Sequence, residues 1–178
     1  MHEDLKFNRI QDLTILGLLI ALVAVSTMVI KIPTIATQGY IHLGDSMIFL
    51  AAIMFGKRKG AIAGGLGSAM ADLLLAYTHW VLPTLIIKAL MGYGVGIIAD
   101  QESNGLVNLR NCIALIFGAG WMVLGYFVAG GIMKGSFLVA AASVPANLIQ
   151  GFVGALLFIP IGAALKRTKY FGQHVLKQ

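Results

Sequence analysis

The feature that most constrains this chain is its succession of unbroken apolar runs, at about 13–30, 41–56, 60–77, 81–99, 112–132 and 144–165. A helix needs roughly 20 apolar residues to cross the hydrocarbon core of a bilayer, and these runs approach that length with only short turns between them. Barrel strands would instead alternate polar and apolar residues over about ten positions. The pattern therefore predicts an all-α integral membrane protein of six transmembrane helices. Only 11% of the 178 residues are charged and 58% are hydrophobic, less than half the roughly 25% charge that a soluble domain carries. Six spans use almost all of 1–178, so the chain reads as a single domain. It has no room for a separate ATPase, receptor or DNA-binding domain.

The 13 Lys and Arg against 7 Asp and Glu would suggest nucleic acid in a soluble protein, but here the basic residues fall in particular turns. With the N-terminus placed in the cytoplasm, the inner side holds ten of them: Lys6, Arg9, Lys57, Arg58, Lys59, Arg110, Lys166, Arg167, Lys169 and Lys177. The outer side holds Lys31 and Lys134, and Lys88 lies within the fourth run. By the positive-inside rule this bias puts both termini in the cytoplasm. Nucleic acid is not an expected partner; the lipid bilayer is. The lone Cys112 forms no internal disulfide, and the first apolar run is followed by no small-residue cleavage site of a signal peptide.

Glycine is concentrated inside the runs, as in Gly60-Ala61-Ile62-Ala63-Gly64-Gly65-Leu66-Gly67-Ser68 and at Gly92, Gly94 and Gly96. Small residues let helices approach closely where lipid offers no hydrophobic drive for association. Gly65-Leu66-Gly67 has no strand before it and is no dinucleotide fingerprint. Gly56-Lys57-Arg58-Lys59-Gly60 lacks the ending of a phosphate loop and reads as a tight basic turn. Before the sixth run, Ser143 is the expected N-cap and Pro145 fits a first helical turn. The segment 134–142 is then an apolar connector.

Ionisable groups inside a span cost at least about 2.5–3.5 kcal/mol each near the centre, so they point to function or to a partner. Asp72 and Lys88 both fall roughly 8–10 Å below the outer surface at 1.5 Å rise per residue, and an ion pair between them is expected. That pair is either a fold-stabilising contact or part of a ligand site. Asp45 stands at the helix start of the second run, either as a cap or as a pocket residue. Tyr77, His79 and Trp80 form the outer turn between the third and fourth runs. For Trp80 the alternative is an interfacial anchor, and for His79 a solvated turn residue. Asn147 and Gln150, three apart on one helix face, are the best ligand candidates, because amides donate and accept without the cost of charge. The inner halves of the runs carry no such cluster. This asymmetry suggests a pocket open to the outside and sealed below, rather than a channel, which needs polar lining throughout. The outer loop 31–40 is read either as a lid over that pocket or as a plain connector. No zinc-binding H-E-x-x-H, paired cysteines or G-x-S-x-G turn occurs, so neither a metal site nor a catalytic residue is expected.

Several strings together resemble the S component of energy-coupling factor (ECF) transporters. They are Gly39-Tyr40-Ile41-His42-Leu43-Gly44-Asp45, the stretch 60–72 ending in Ser68-Ala69-Met70-Ala71-Asp72, Pro83-Thr84-Leu85-Ile86-Ile87-Lys88 with Gly92, and Pro145-Ala146-Asn147-Leu148-Ile149-Gln150. The resemblance covers the whole chain. It implies a subunit of the bacterial cell membrane that binds a vitamin or vitamin precursor from outside. It also implies as partners a transmembrane coupling subunit and two cytoplasmic ATPases, which spend the ATP; this chain itself binds no cofactor. Carried over by position, the family pocket falls on Gln38, Gly39, His79, Trp80, Lys88, Tyr126, Asn147 and Gln150. The closest subfamily likeness is to hydroxymethylpyrimidine or pyridoxine subunits, with pantothenate and riboflavin as contenders.

The family often docks on its coupling protein through an Ala-x-x-x-Ala face of the first helix. Here the equivalent small residues are Gly17 and Ala21, with Ala24 nearby, a departure that leaves the contact residues open. The reading from another class is a self-sufficient small-solute channel or facilitator, and a small membrane enzyme stands third.

Overall fold

Each apolar run forms a helix, and the segment before the second helix, with the first two residues of the second run, forms a hairpin. In chain order the elements are α1 (His2–Val29), β1 (Lys31–Thr34), β2 (Gly39–His42), α2 (Gly44–Phe55), α3 (Lys57–Leu74), a 3-10 turn (Thr78–Trp80), α4 (Val81–Ile98), α5 (Leu109–Lys134), α6 (Phe137–Ala141) and α7 (Val144–Lys166). This computed structural model describes residues 2–29, 31–34, 39–101, 103 and 105–168.

The two strands pair antiparallel in the register Lys31 with His42, Ile32 with Ile41, Pro33 with Tyr40 and Thr34 with Gly39. The loop expected at 31–40 is thus a β-hairpin, and it takes Ile41 and His42 away from the second run. What remains, α2, has 12 residues, about 18 Å of helix at 1.5 Å per residue. Among the described residues, four stretches are by themselves long and apolar enough to cross a membrane: Arg9–Val29, Thr78–Ile98, Leu109–Lys134 and Phe137–Lys166. The chain is a multi-pass membrane protein. α2 is too short to be counted with those four. α3 is 18 residues long but is diluted by glycine and opens on Lys57-Arg58-Lys59.

α2 forms the centre. Residues 44–54 are all buried, as suits a helix that is apolar all round. Ile48, Phe49, Ala51 and Ala52 pack among Val23 of α1, Met91 and Val95 of α4, Ala114 and Met122 of α5 and Phe158 of α7. Its start passes close to α1: a methyl group on Gly44 would fall 2.0 Å from Thr27 Oγ1, so no side chain fits there. Its end turns at Gly56, where φ is +91°, a backbone that glycine adopts without strain. α3 then runs back against α4 through small residues. A Cβ on Gly92 would lie 2.2 Å from the Gly60 carbonyl oxygen, and one on Gly64 would lie 2.9 Å from the Lys88 carbonyl oxygen. Gly60, Gly64 and Gly92 are therefore contact points between helix backbones, of the kind that helix packing in lipid favours.

α7 begins where expected, but not by the expected cap. Ser143 makes no capping bond to α7; its hydroxyl donates back to the Ala140 carbonyl at 2.7 Å. The connector before it holds a short helix, α6, so it is not extended chain. At the end of the molecule opposite the hairpin, Lys59 pairs with Asp12, Arg110 Nε donates to the Ile98 carbonyl at 3.1 Å, and Lys166 Nζ donates to the Ser103 carbonyl at 2.5 Å. Asn108 caps α5 by accepting from the Asn111 amide at 2.8 Å. Lys59, Arg110 and Lys166 thus gather at one end, and the hairpin, the 3-10 turn and α6 at the other.

Candidate ligand pocket

At the hairpin end a cavity of about 60 Å³ opens among β2, α3, α4, α5, α6 and α7. Its floor is a buried polar cluster. Lys88 Nζ donates to Asp45 Oδ1 in an ion pair whose two side chains are fully enclosed. Gln150 Nε2 donates to Asp45 Oδ2 at 2.8 Å, and Gln150 Oε1 accepts from the His42 backbone N–H at 3.0 Å. The Lys88 ammonium also stands 5.4 Å from the centroid of the Tyr126 ring, a cation–π arrangement. Glycine makes room for the cluster: a Cβ on Gly154 of α7 would press on Asp45 Cβ at 3.0 Å.

The walls are aromatic. Trp80 and Tyr126 meet edge-on at 5.6 Å, and Tyr40 packs on Tyr77 at 4.8 Å and on His42 at 5.4 Å. The Tyr126 hydroxyl donates to Thr84 Oγ1 at 3.1 Å, and the Tyr40 hydroxyl donates to Asp72 Oδ1 at 2.7 Å. Burial first, and then the Asp72 carboxylate, push the Tyr40 phenol well above its ordinary range, so it stays protonated and keeps donating. His42 Nδ1 accepts from the Gly44 N–H at 3.1 Å, which assigns the ring proton to Nε2. That nitrogen lies 3.4 Å from the Gln150 amide nitrogen.

The expected ion pair between Asp72 and Lys88 is not formed. Lys88 pairs with Asp45 instead, and Asp72 bonds to Tyr40. The reason lies in the register of α3 on α4. Gly60 meets Gly92 and Gly64 meets Lys88, so four residues up α3 correspond to four down α4. Asp72 is therefore level with Trp80, two turns or about 12 Å along the axis from Lys88. Asp45 is likewise no cap: the residue before α2 is Leu43, and the Asp45 carboxylate is committed to Lys88 and Gln150.

Of the other residues expected to bind ligand, Trp80, Tyr126, Asn147 and Gln150 do line the cavity. Lys88 lies beneath it. His79 is exposed and stacks beside Trp80 at 5.9 Å. Gly39 lies in β2 opposite Thr34, and Gln38 lies outside the described residues. On α1, Gly17 and Ala21 are exposed, whereas Ala24 is only 5% exposed and faces the core, so it does not share their face. Residues that sequence reasoning passed over are Tyr40, His42 and Thr84, all lining the cavity. The spacing of Tyr40 and His42, two apart on a strand face, was the available signal.

The chain matches the family model described as "ECF-type riboflavin transporter, S component" over residues 7–167. It is 38% identical over 146 residues to an uncharacterized protein in the gap 3' region of Pyrococcus woesei, covering 82% of this chain and 95% of that one. It is 32% identical over 162 residues to the thiamine precursor transporter HmpT of Lactococcus lactis subsp. cremoris, covering 90% and 91%. With UPF0397 protein EAT1b_2102 of an Exiguobacterium it shares 24% over 141 residues, 72% and 76% of the two chains. Helical membrane body, pocket at one end and these likenesses lead to one conclusion: the chain belongs to the S components of ECF-type transporters.

Proposed function

We propose that this chain captures a vitamin or vitamin precursor, the thiamine precursor hydroxymethylpyrimidine before pyridoxine, on the outer face of the bacterial cell membrane for ATP-driven uptake. A transmembrane coupling subunit and two cytoplasmic ATPases supply the drive, and the chain itself binds no cofactor. In this reading it has six spans with both termini in the cytoplasm, α2 and α3 completing the set. The gathering of Lys57–Lys59, Arg110, Lys166 and Arg167 at the end away from the pocket supports that orientation.

The observation that carries the reading is the cavity itself. It is walled by Tyr40, Trp80 and Tyr126, offers the Asn147 amide, and is closed beneath by the Asp45–Lys88–Gln150 cluster and the apolar packing of α2. Aromatic walls with a few placed polar groups suit a flat heterocycle. A floor so closed argues against the channel alternative. The likeness to a thiamine precursor transporter supports the pyrimidine, while the family description favours riboflavin as the second substrate. At about 60 Å³, with a water needing at least about 10–15 Å³ on this measure, the narrow cavity suits one ring better than three fused rings. Purified protein should retain the pyrimidine and release it on denaturation, for identification by mass spectrometry. Riboflavin in its place would overturn the substrate assignment, and conduction by the chain alone in vesicles would overturn the class.

A further inference from the structure

The displaced ion pair leaves a side chain of the cavity wall, Asp72, with one oxygen unpartnered among the described residues. Asp72 is 4% exposed, its Oδ1 accepts from the Tyr40 hydroxyl at 2.7 Å, and its Oδ2 is buried with no hydrogen-bond partner among the described residues. Thr84 lies near the same carboxyl but makes no bond to Oδ2. The cation nearest in sequence reasoning, Lys88, is already paired with Asp45. Buried acceptors are almost always satisfied, and leaving one unmade is costly. Asp72 is a lining residue of the cavity, so a donor brought by a ligand is the partner this oxygen lacks.

We propose that Asp72 Oδ2 accepts an N–H donor carried on the ligand ring, so that this chain selects amino-substituted heterocycles of the aminopyrimidine class. The inference deepens the proposed function and rests on it. Because the site is built to bond a donor, a ring without that donor leaves the carboxylate unpaired and is rejected. Tyr40 fixes the sense of the site. Its phenol occupies one oxygen and leaves the other, on a side chain that lines the cavity, without a partner among the described residues. In an Asp72→Asn protein the same phenol would hold the amide carbonyl, turning the amide nitrogen, a donor, toward the ligand.

The experiment measures binding of three rings to purified wild-type protein by calorimetry. These are hydroxymethylpyrimidine with its amino group, the same ring with hydrogen in that place, and the same ring with a carbonyl oxygen there. Wild-type protein should prefer the amino ring to the other two on the order of tenfold or more. Asp72→Ala should bring the three within about threefold, and Asp72→Asn should invert the order in favour of the carbonyl ring. Binding of the carbonyl ring by Asp72→Asn also reports that the variant is folded. If wild-type protein binds none of the three, the pyrimidine reading fails and this inference falls with it. Pyrimidine binding without amino preference, an Asp72→Asn protein that keeps that preference, or equal loss of all three rings would overturn the inference alone.

Discussion

Lys88 on α4 and Asp45 on α2 are both fully enclosed, and the ammonium of the one donates to the carboxylate of the other. Two charges so far from water are stable only when each is answered, and removing one leaves the other stranded at a cost of about 3–5 kcal/mol. Lys88→Met and Asp45→Asn should each lower the thermal unfolding temperature in detergent markedly. The double variant should recover much of the loss, since a neutral pair carries no stranded charge. Single variants that melt with the parent protein would show that the pair contributes nothing to the fold.

The two amides of α7 should separate in their effects. Asn147 lines the cavity half-buried, and among the described residues its side chain makes no hydrogen bond. Gln150 has its carbonyl on the His42 N–H and its nitrogen on Asp45. Asn147→Ala is expected to weaken binding by about 1–2 kcal/mol, roughly one decade, with the folded yield unchanged. Gln150→Ala should reduce both binding and yield. Calorimetry alongside the monodisperse fraction in size exclusion separates the two; equal behaviour would place both amides in the same role.

Topology is open to a direct measurement. With Cys112 replaced by serine, single cysteines at the exposed positions 58 and 79 should differ in intact cells. Position 79 is expected to react with an impermeant maleimide and position 58 only after permeabilisation. Reaction at 58 from outside would reverse the orientation and move the pocket to the cytoplasmic face.

Coupling to partners should run through the exposed small residues of α1. Gly17 has nothing within 4 Å of a Cβ added to it, so Gly17→Leu is tolerated by the fold, and Ala21→Trp should be likewise. Both are expected to keep ligand affinity while losing co-purification with the coupling subunit and uptake, because helix association in lipid depends on close approach. Ala24→Trp, forced into the packed interior, should unfold the protein instead. Normal uptake with Ala21→Trp would remove this face from the docking surface.

The membrane class, the helix order and the crowding of polar groups at one end were legible because each depends on composition along the chain. Hydrophobic runs and glycine clusters carry that information directly. The pairing of the charges was not legible. Depth places Asp72 and Lys88 in the same half of the membrane, but it gives neither the register of α3 on α4 nor the face each residue turns to. Those follow from Gly60 meeting Gly92 and Gly64 meeting the Lys88 backbone. The hairpin was hidden for a different reason. Lys31–Thr34 and Gly39–His42 are four residues each, with a proline in one and a glycine in the other, too short to show a strand period against an adjoining apolar run. Losing Ile41 and His42 to that hairpin shortened α2 and brought His42 into the pocket wall.

A short helix buried along residues 44–54, as α2 is, presents almost no hydrophobic surface of its own to the bilayer. Its surroundings are protein and travel with the molecule. Were the whole body to tilt, only the outward faces of the other helices would exchange lipid for headgroup or water, and those faces alone would set the energy of tilting. The pocket floor is anchored at the start of α2 through Asp45, so it is carried as a rigid passenger. A ligand held above it would then change its depth in the membrane without any bond in the floor being remade.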